Sequence, residues 1–399
     1  MESGTKPSPG ACSDSPFGRY FISLRNMSRY KLTEVKNKRD LKRFIRFPLD
    51  LYRDCPQYVP ALNADQRKSL TSCSTLSYCE RAMWLALDGD RVVGRICAMI
   101  NPRYNALYAT RRARFGWFDV VDDFEVASLL IKKAEEWAME RGMEDIHGPL
   151  YYNTLGKQGM LVEGFGNIPP FNCLYNYPYY NDFLTALGYE KECDWLQYRV
   201  RVPEEIPERL QRVSRRLLDR YSLRELDVDR LKKDKAQVKA FFEIYNRSFE
   251  KTVHNFIPFT DEEVQEEAEE VIPMLNSRIS CFLADPNGSI AGFGVNFPSI
   301  SKALQKCRGR LFPFGWFHLL KALHSYETID LMLNGASPEW QNTGVSAVYH
   351  NLIFDKCRRA GVKWAITNPQ IEDNPAVKVW ESYEHEPYMR RRCYIRKIK

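Results

Sequence analysis

The run in this 399-residue chain that is most suggestive of chemistry is Gln341-Asn342-Thr343-Gly344-Val345-Ser346, between a strand-like segment, 328–333, and a helical pattern over 344–360. The first turn of a helix leaves N–H groups without intrahelical partners. A glycine there lets an anion come close, so such a loop can cradle a pyrophosphate. A strand, a loop and a helix with one glycine also occur in proteins that bind nothing, so the run is weighed with its surroundings. Acid–base and metal chemistry have few other carriers. The six histidines are scattered, and the nearest pair, His318 and His324, falls on different faces of a helix, so no metal site is expected. The eleven cysteines include no C-x-x-C pair, which argues against a zinc ribbon or disulfide framework and fits reduced thiols.

Two blocks of similar element order have to position these residues. The first opens with a strand at 30–35 and a helix at 38–52 whose Leu41, Phe44, Ile45 and Leu49 recur at three and four. A hairpin at 84–100 turns at Asp88-Gly89-Asp90, followed by a strand at 115–120 and a helix at 124–141 ended by Gly142. A strand at 145–148, a short helix at 179–187 and a strand at 195–202 complete the block. After a Pro- and Glu-rich linker, 203–207, and a basic helix, 209–220, the order begins again. It runs through a strand at 223–228, helices at 231–249 and 260–275, a hairpin at 280–297, a strand at 328–333, a helix at 344–360, a strand at 363–367, a helix at 375–383 and a strand at 389–398. The expected organisation is a disordered tail (1–26), a first domain (27–202), a linker with a basic helix (203–221) and a second domain (222–399) with an insertion at 299–324.

The loop then acquires a context. Gln341 and Gly344, with Ser346 in the last small position, resemble the acyl-CoA signature Q/R-x-x-G-x-G/A of the GNAT (Gcn5-related) acyltransferases. The run from Asn374 through Ala376 to Trp380 and Tyr383 resembles the last helix of that superfamily, with Trp380 for the usual Tyr. Stretches such as Pro56-Gln57-Tyr58-Val59-Pro60, Val93-Gly94-Arg95-Ile96, Asn176-Tyr177-Pro178-Tyr179-Tyr180 and Phe256-Ile257-Pro258 extend the likeness over nearly the whole chain, to a bacterial group of tandem-GNAT proteins similar to the ceramide synthases. The resemblance implies an α/β fold of two tandem GNAT-like domains, each a mixed central sheet flanked by helices.

It also implies roles. Acyl-CoA would be held by Asn334, Gly335, Ala336, Gln341, Asn342, Thr343, Gly344, Val345, Ser346 and Asn374. His254, on the loop that roofs the acceptor site in this fold, and Glu339, beside the motif, are alternative bases; Tyr383 is a candidate acid for the leaving thiolate. Asn255 and Phe256 would line the acceptor side. The first block departs from the pattern: Asp122, Asp123 and Glu125 crowd the corresponding helix start, where they favour the dipole but repel a phosphate. That domain is expected to have lost CoA binding.

The insertion combines Lys302, Lys306, Arg308, Arg310 and Lys321 with Phe314, Trp316, Phe317 and several leucines, a composition suited to an interfacial helix or to an acyl channel. A flap over a sheet edge is the plainer alternative. The net charge of +7 over this length is not that of a dedicated nucleic-acid binder. The longest strongly apolar stretch, 311–320, is half of the roughly 20 residues a helical span needs. Residues 1–15 lack the apolar run of a secretory signal, so a cytoplasmic protein is expected, peripheral to the inner face of the membrane. The expected function is acyl-CoA-dependent transfer to a primary amine, in sphingolipid-type chemistry a sphingoid base, with no metal. The alternatives are an aminoacyl-tRNA-dependent transferase and a non-catalytic acyl-CoA or lipid binder.

Overall fold

Apolar runs such as 92–100 and 290–297 leave no polar face for solvent, so they are stable only inside a sheet covered on both sides. In the computed structural model they are. It describes residues 29–249 and 253–399; the expected tail at 1–26 lies outside the described residues. The first half comprises β1 (Tyr30–Glu34), α1 (Lys38–Leu51), α2 (Asn63–Thr71), β2 (Glu80–Asp88), β3 (Arg91–Ile100), α3 (Pro102–Leu107), β4 (Arg112–Val120), α4 (Phe124–Glu140), β5 (Asp145–Gly148), β6 (Met160–Glu163), α5 (Tyr179–Ala186) and β7 (Glu190–Arg201). The second comprises α6 (Glu208–Tyr221), β8 (Arg224–Glu225), α7 (Val228–Leu231), α8 (Lys235–Phe249), α9 (Asp261–Val271), β9 (Cys281–Ala284), β10 (Ile290–Pro298), α10 (Ser301–Cys307), α11 (Gly315–Leu323), β11 (Thr328–Ala336), α12 (Val345–Arg359), β12 (Trp364–Thr367), β13 (Gln370–Ile371) and β14 (His385–Lys397).

The fourteen strands of the described residues join one mixed sheet in the order β1-β2-β3-β4-β5-β14-β7-β12-β11-β10-β9-β8, with β13 on β7 and β6 on β14. The closing strands have changed places. β14, from the end of the chain, enters the first half beside β5, and β7 crosses to pair antiparallel with β12 of the second. Charge explains the fit of β7 to β14. Asp194 of β7 is fully buried, and its carboxylate accepts from Arg390 Nε at 2.6 Å and Arg392 Nε at 2.7 Å across the pair.

Local readings changed in places. The strand at 223–228 shrinks to the two residues of β8 before α7, and α2 and α3 are additions to the expected order. The last helix, Pro375–Ser382, is a 3₁₀ run; β-branched Val377 and Val379 are weak α-formers. The insertion at 299–324 is a helical hairpin of α10 and α11. No helix among the described residues is long and apolar enough to cross a membrane.

Candidate active site

β11 and β12 run in parallel only from Thr328 opposite Trp364 to Leu331 opposite Thr367. Beyond the 2.9 Å bond from Asn368 N–H to Leu331 O they part. β11 continues along β10 to Ala336, so its other edge from Met332 onward has no strand beside it among the described residues. A cavity of about 340 Å³ opens at the gap, within the roughly 300–1,000 Å³ of small-molecule sites. Its walls are mainly apolar, with Leu331, Met332 and Leu333 of β11, Val295 and Phe297 of the adjacent β10, and Phe249 of α8. Leu155 and Phe171 come from the first half, and β7 carries Trp195 to it. Both halves therefore build the cavity. No Lys or Arg lines it among the described residues, whereas His254, His350, Glu267 and Glu270 do.

α12 starts beside this gap. Gly344 is its N-cap at φ +88° and contributes no side-chain cap. The glycine is needed for that left-handed backbone, and also for space: a Cβ there would meet Leu217 Cδ1 of α6 at 3.2 Å. Asn342 is left-handed too, at φ +62°, and Thr343 Oγ1 donates to Trp340 O at 2.7 Å. Gln341, Asn342 and Ser346 are exposed and Val345 is buried. Asn334 and Asn374 line the cavity, and the Asn334 Oδ1 is buried without a hydrogen bond. Gly335 and Ala336 end β11 opposite Phe293 and Gly292. The basic helix α6 borders the same loop, with Tyr221 edge-on to Trp340 at 5.3 Å and the Arg220 guanidinium over the Tyr221 ring.

The acid–base group with the most developed support is His254. Its Nε2 lies 3.6 Å from Glu192 Oε1, within ion-pair range but long for a hydrogen bond. Glu192 also meets His147 Nδ1 at 2.9 Å and accepts from Arg112 Nη1 at 2.7 Å. Burial alone would raise the Glu192 carboxyl, but the two histidines hold it well below the usual carboxylate range. Burial pushes His147 down to about 4 against the pull of Glu192, so it serves as a neutral donor. The Glu192 carboxylate is thus the charged group beside His254 Nε2, which is buried and makes no hydrogen bond among the described residues. His147, Glu192 and Cys393 bring three ligand-type atoms within 4.8 Å of one another, yet Arg112 already neutralises Glu192 and would face any cation there. Across the cavity, burial and then the charges of Glu270 and Glu266 push the Glu267 carboxyl up to about 7.

Several expected residues lie elsewhere. Tyr383 is not on the cavity wall; its ring packs 4.5 Å from Phe354 and burial pushes its phenol up. Glu339 points to solvent in an ion pair with Arg247. Asn255 and Phe256 anchor the His254 loop to the first half: Tyr104 Oη donates to Asn255 Oδ1 at 2.7 Å and Tyr108 Oη to Phe256 O at 3.0 Å. Phe314, Trp316 and Phe317 are exposed on the outside of the hairpin and contribute nothing to the walls. Glu192, His147 and Glu267 went unnoticed. For Glu192 a signal existed in the alternation of Glu190, Glu192 and Asp194, acidic groups repeating on one face of a strand.

No protein-family model matches the chain. Among curated proteins it is 27% identical over 394 residues to Protein YghO of Escherichia coli (strain K12), covering 95% of this chain and 98% of that one. It is 31% identical over 291 residues to the bacterial ceramide synthase of Caulobacter vibrioides (strain NA1000 / CB15N), covering 72% of this chain and 74% of that one. Among solved structures it resembles a tandem GNAT protein from the clavulanic acid biosynthesis pathway, with a TM-score of 0.54 at 13% identity over 93% of this chain and 99% of the other, a likeness of fold.

Proposed function

The chain belongs to the tandem-GNAT N-acyltransferases, the family of the Caulobacter ceramide synthase, and on that premise we propose that it moves an acyl group from a CoA thioester to the primary amine of a long-chain, amphipathic acceptor such as a sphingoid base. The observation that carries this reading is the apolar cavity at the parted strands, beside a helix N-terminus without a side-chain cap. In this reading the CoA diphosphate lies on the amides at Gly344, Val345 and Ser346, with Arg220 of α6 nearby. The thioester enters between β11 and β12, and backbone N–H groups on the open edge of β11 meet its carbonyl oxygen as charge develops.

The acceptor arrives as an ammonium, which the Glu267 side of the cavity suits. His254 Nδ1 takes a proton, and Glu192 steadies the imidazolium that forms. The freed amine forms a C–N bond at the carbonyl carbon, the C–S bond breaks, and the proton that the acylated nitrogen sheds goes to the departing thiolate to give CoA–SH. The absence of Lys and Arg from the cavity walls among the described residues runs against an aminoacyl-tRNA donor. A lipid acceptor also implies work at a lipid surface, the inner face of the membrane.

Thermal unfolding with acetyl-CoA, palmitoyl-CoA and free CoA is the direct test, because a ligand stabilises by RT ln(1 + [L]/Kd). Stabilisation by palmitoyl-CoA, together with amide formation on a sphingoid base, is expected. No stabilisation by any thioester removes this reading, and stabilisation without transfer to any amine leaves the non-catalytic binder.

A further inference from the structure

The hairpin of α10 and α11 has two apolar faces with different fates. On the inner face Leu319, Ala322 and Leu323 join Val59, Ile300 and Leu304 in one cluster, against which Phe171 and Met274, two walls of the cavity, also pack. The hairpin is pinned to the first half by Gln305 Nε2 to Pro56 O at 2.7 Å, Ser301 Oγ to Pro169 O at 2.8 Å and Asn63 N–H to Gly309 O at 2.9 Å. The outer face lies open: Phe312, Phe314, Phe317, Leu320 and Trp316 are 78%, 75%, 56%, 48% and 45% exposed. Trp316 Nε1 donates to Pro313 O at 2.8 Å, so the indole reaches solvent with its polar atom already satisfied.

Water is a poor neighbour for such a patch, and large exposed apolar patches mark interaction sites. Charge identifies the occupant. Lys302, Lys306, Arg308, Arg310 and Lys321 are all exposed, and residues 299–324 contain no Asp or Glu. A second copy meeting this face across a two-fold axis would set like charges against each other. An anionic bilayer offers the complement to both features, an acyl boundary for the aromatic side chains and headgroup phosphates for the cations. We propose that α11 and the turn before it dock the protein onto an anionic lipid bilayer. This deepens the lipid-acceptor reading and rests on it only for the purpose of the contact. Phe171 and Met274 belong both to the hairpin's inner packing and to the cavity, so the docked helix stands next to the wall that an acyl chain would follow.

The experiment is flotation of the full chain with vesicles of phosphatidylcholine, with and without phosphatidylglycerol. Three proteins are compared: wild type, an aromatic variant (Phe314→Ala, Trp316→Ala, Phe317→Ala) and a charge variant (Lys302→Gln, Arg310→Gln, Lys321→Gln). Wild type is expected to favour the anionic vesicles. The aromatic variant should lose binding about a hundredfold on either vesicle, and the charge variant should lose tenfold or more on anionic vesicles alone. Unfolding midpoints monitor folding, and conservative Trp316→Tyr keeps the test open if the aromatic variant fails to fold. Failure of wild type to bind anionic vesicles, or unchanged binding by both multiple variants, overturns the proposal. So does a change from dimer to monomer in the aromatic variant by analytical ultracentrifugation, which would make the face an interface between copies. Vesicle binding without amide formation would leave the docking surface standing and the acyltransfer reading overturned.

Discussion

Each half of the molecule has two parallel strands that separate toward a helix N-terminus, and the two openings end differently. In the first half β4 and β5 pair from Arg112 opposite Asp145 to Arg114 opposite His147, and then aromatic side chains close the gap. Trp117 stacks on Tyr151 at 3.6 Å, and a cavity of only about 40 Å³ is left nearby. Asp123 covers the start of α4, its Oδ1 accepting from Glu125 N–H at 2.9 Å and its Oδ2 from Tyr30 Oη at 2.6 Å. The one carboxylate on that cavity's wall among the described residues, Asp119, is held by Arg95 at 2.7 Å. In the second half the gap holds about 340 Å³, Gly344 leaves α12 without a side-chain cap, and Glu267 faces the cavity with no cation on its walls among the described residues. One architecture thus supports two outcomes. Aromatic filling and a capped helix make the first gap part of the core, and the lack of both leaves the second an open cavity beside an uncapped helix start.

The contrast can be broken most sharply at its filled side. Trp117→Ala should destabilise the protein by about 3–5 kcal/mol in denaturant unfolding, because a large buried ring leaves a void. It should gain no affinity for acyl-CoA, since Asp123 still caps α4. New acyl-CoA binding in that variant would mean that the plug alone separates the two halves. At the open side Ser346→Asp is a cleaner probe than a change at Gly344, whose φ and contact with Leu217 confound any substitution. Ser346 is exposed, and an acidic group suits a helix start, so folding should be preserved. A charge about 4 Å from the diphosphate is repelled by a few kcal/mol, so titration calorimetry should find CoA binding weakened about a hundredfold. Unchanged affinity would put the donor elsewhere.

Glu267 tests the electrostatic part of the comparison. Its folded carboxyl lies near 7, above its ordinary value, so folding favours the protonated form. The associated stability is complete below the unfolded value and is lost as pH rises through about 7. Glu267→Gln should therefore be more stable than wild type by about 2 kcal/mol above pH 7, with the difference vanishing toward pH 4. The same variant should bind a long-chain amine more weakly than wild type does at pH 8. A difference that grows on acidification would contradict the assigned direction. The smallest effect belongs to Asp123→Ala, which should cost about 1 kcal/mol in unfolding through the lost cap and leave CoA affinity unaltered. A marked fall in CoA affinity would make the first half a donor site.

Much of the scaffold was legible because it is local. The helix expected at 124–141 is α4, ended at Gly142 with φ +76°, and the loop at 341–346 does lead into α12 through a left-handed glycine. A strand's period or a cap depends on residues a few positions apart, so the order of letters suffices. The same locality explains why packing partners at the site were not legible. Tyr383 and Phe256 have the residue types of site groups, but burial against Phe354 and in the α8–β10 cluster uses them as packing.

What the sequence determined by itself was which segments form helices and strands, which faces they bury and where the backbone needs glycine. Each of these follows from sterics and hydrophobic period within a few residues. Tertiary structure alone decided who meets whom. β14 finds β5 and β7 because the sheet brings Arg390 to Asp194, 196 positions away, and Glu192 meets His254 only once β7 has crossed to the other half. Periodicity states that a strand is buried and never names its partner, so the shared cavity, its histidines and its uncompensated carboxylate exist only after long-range pairing has closed the sheet.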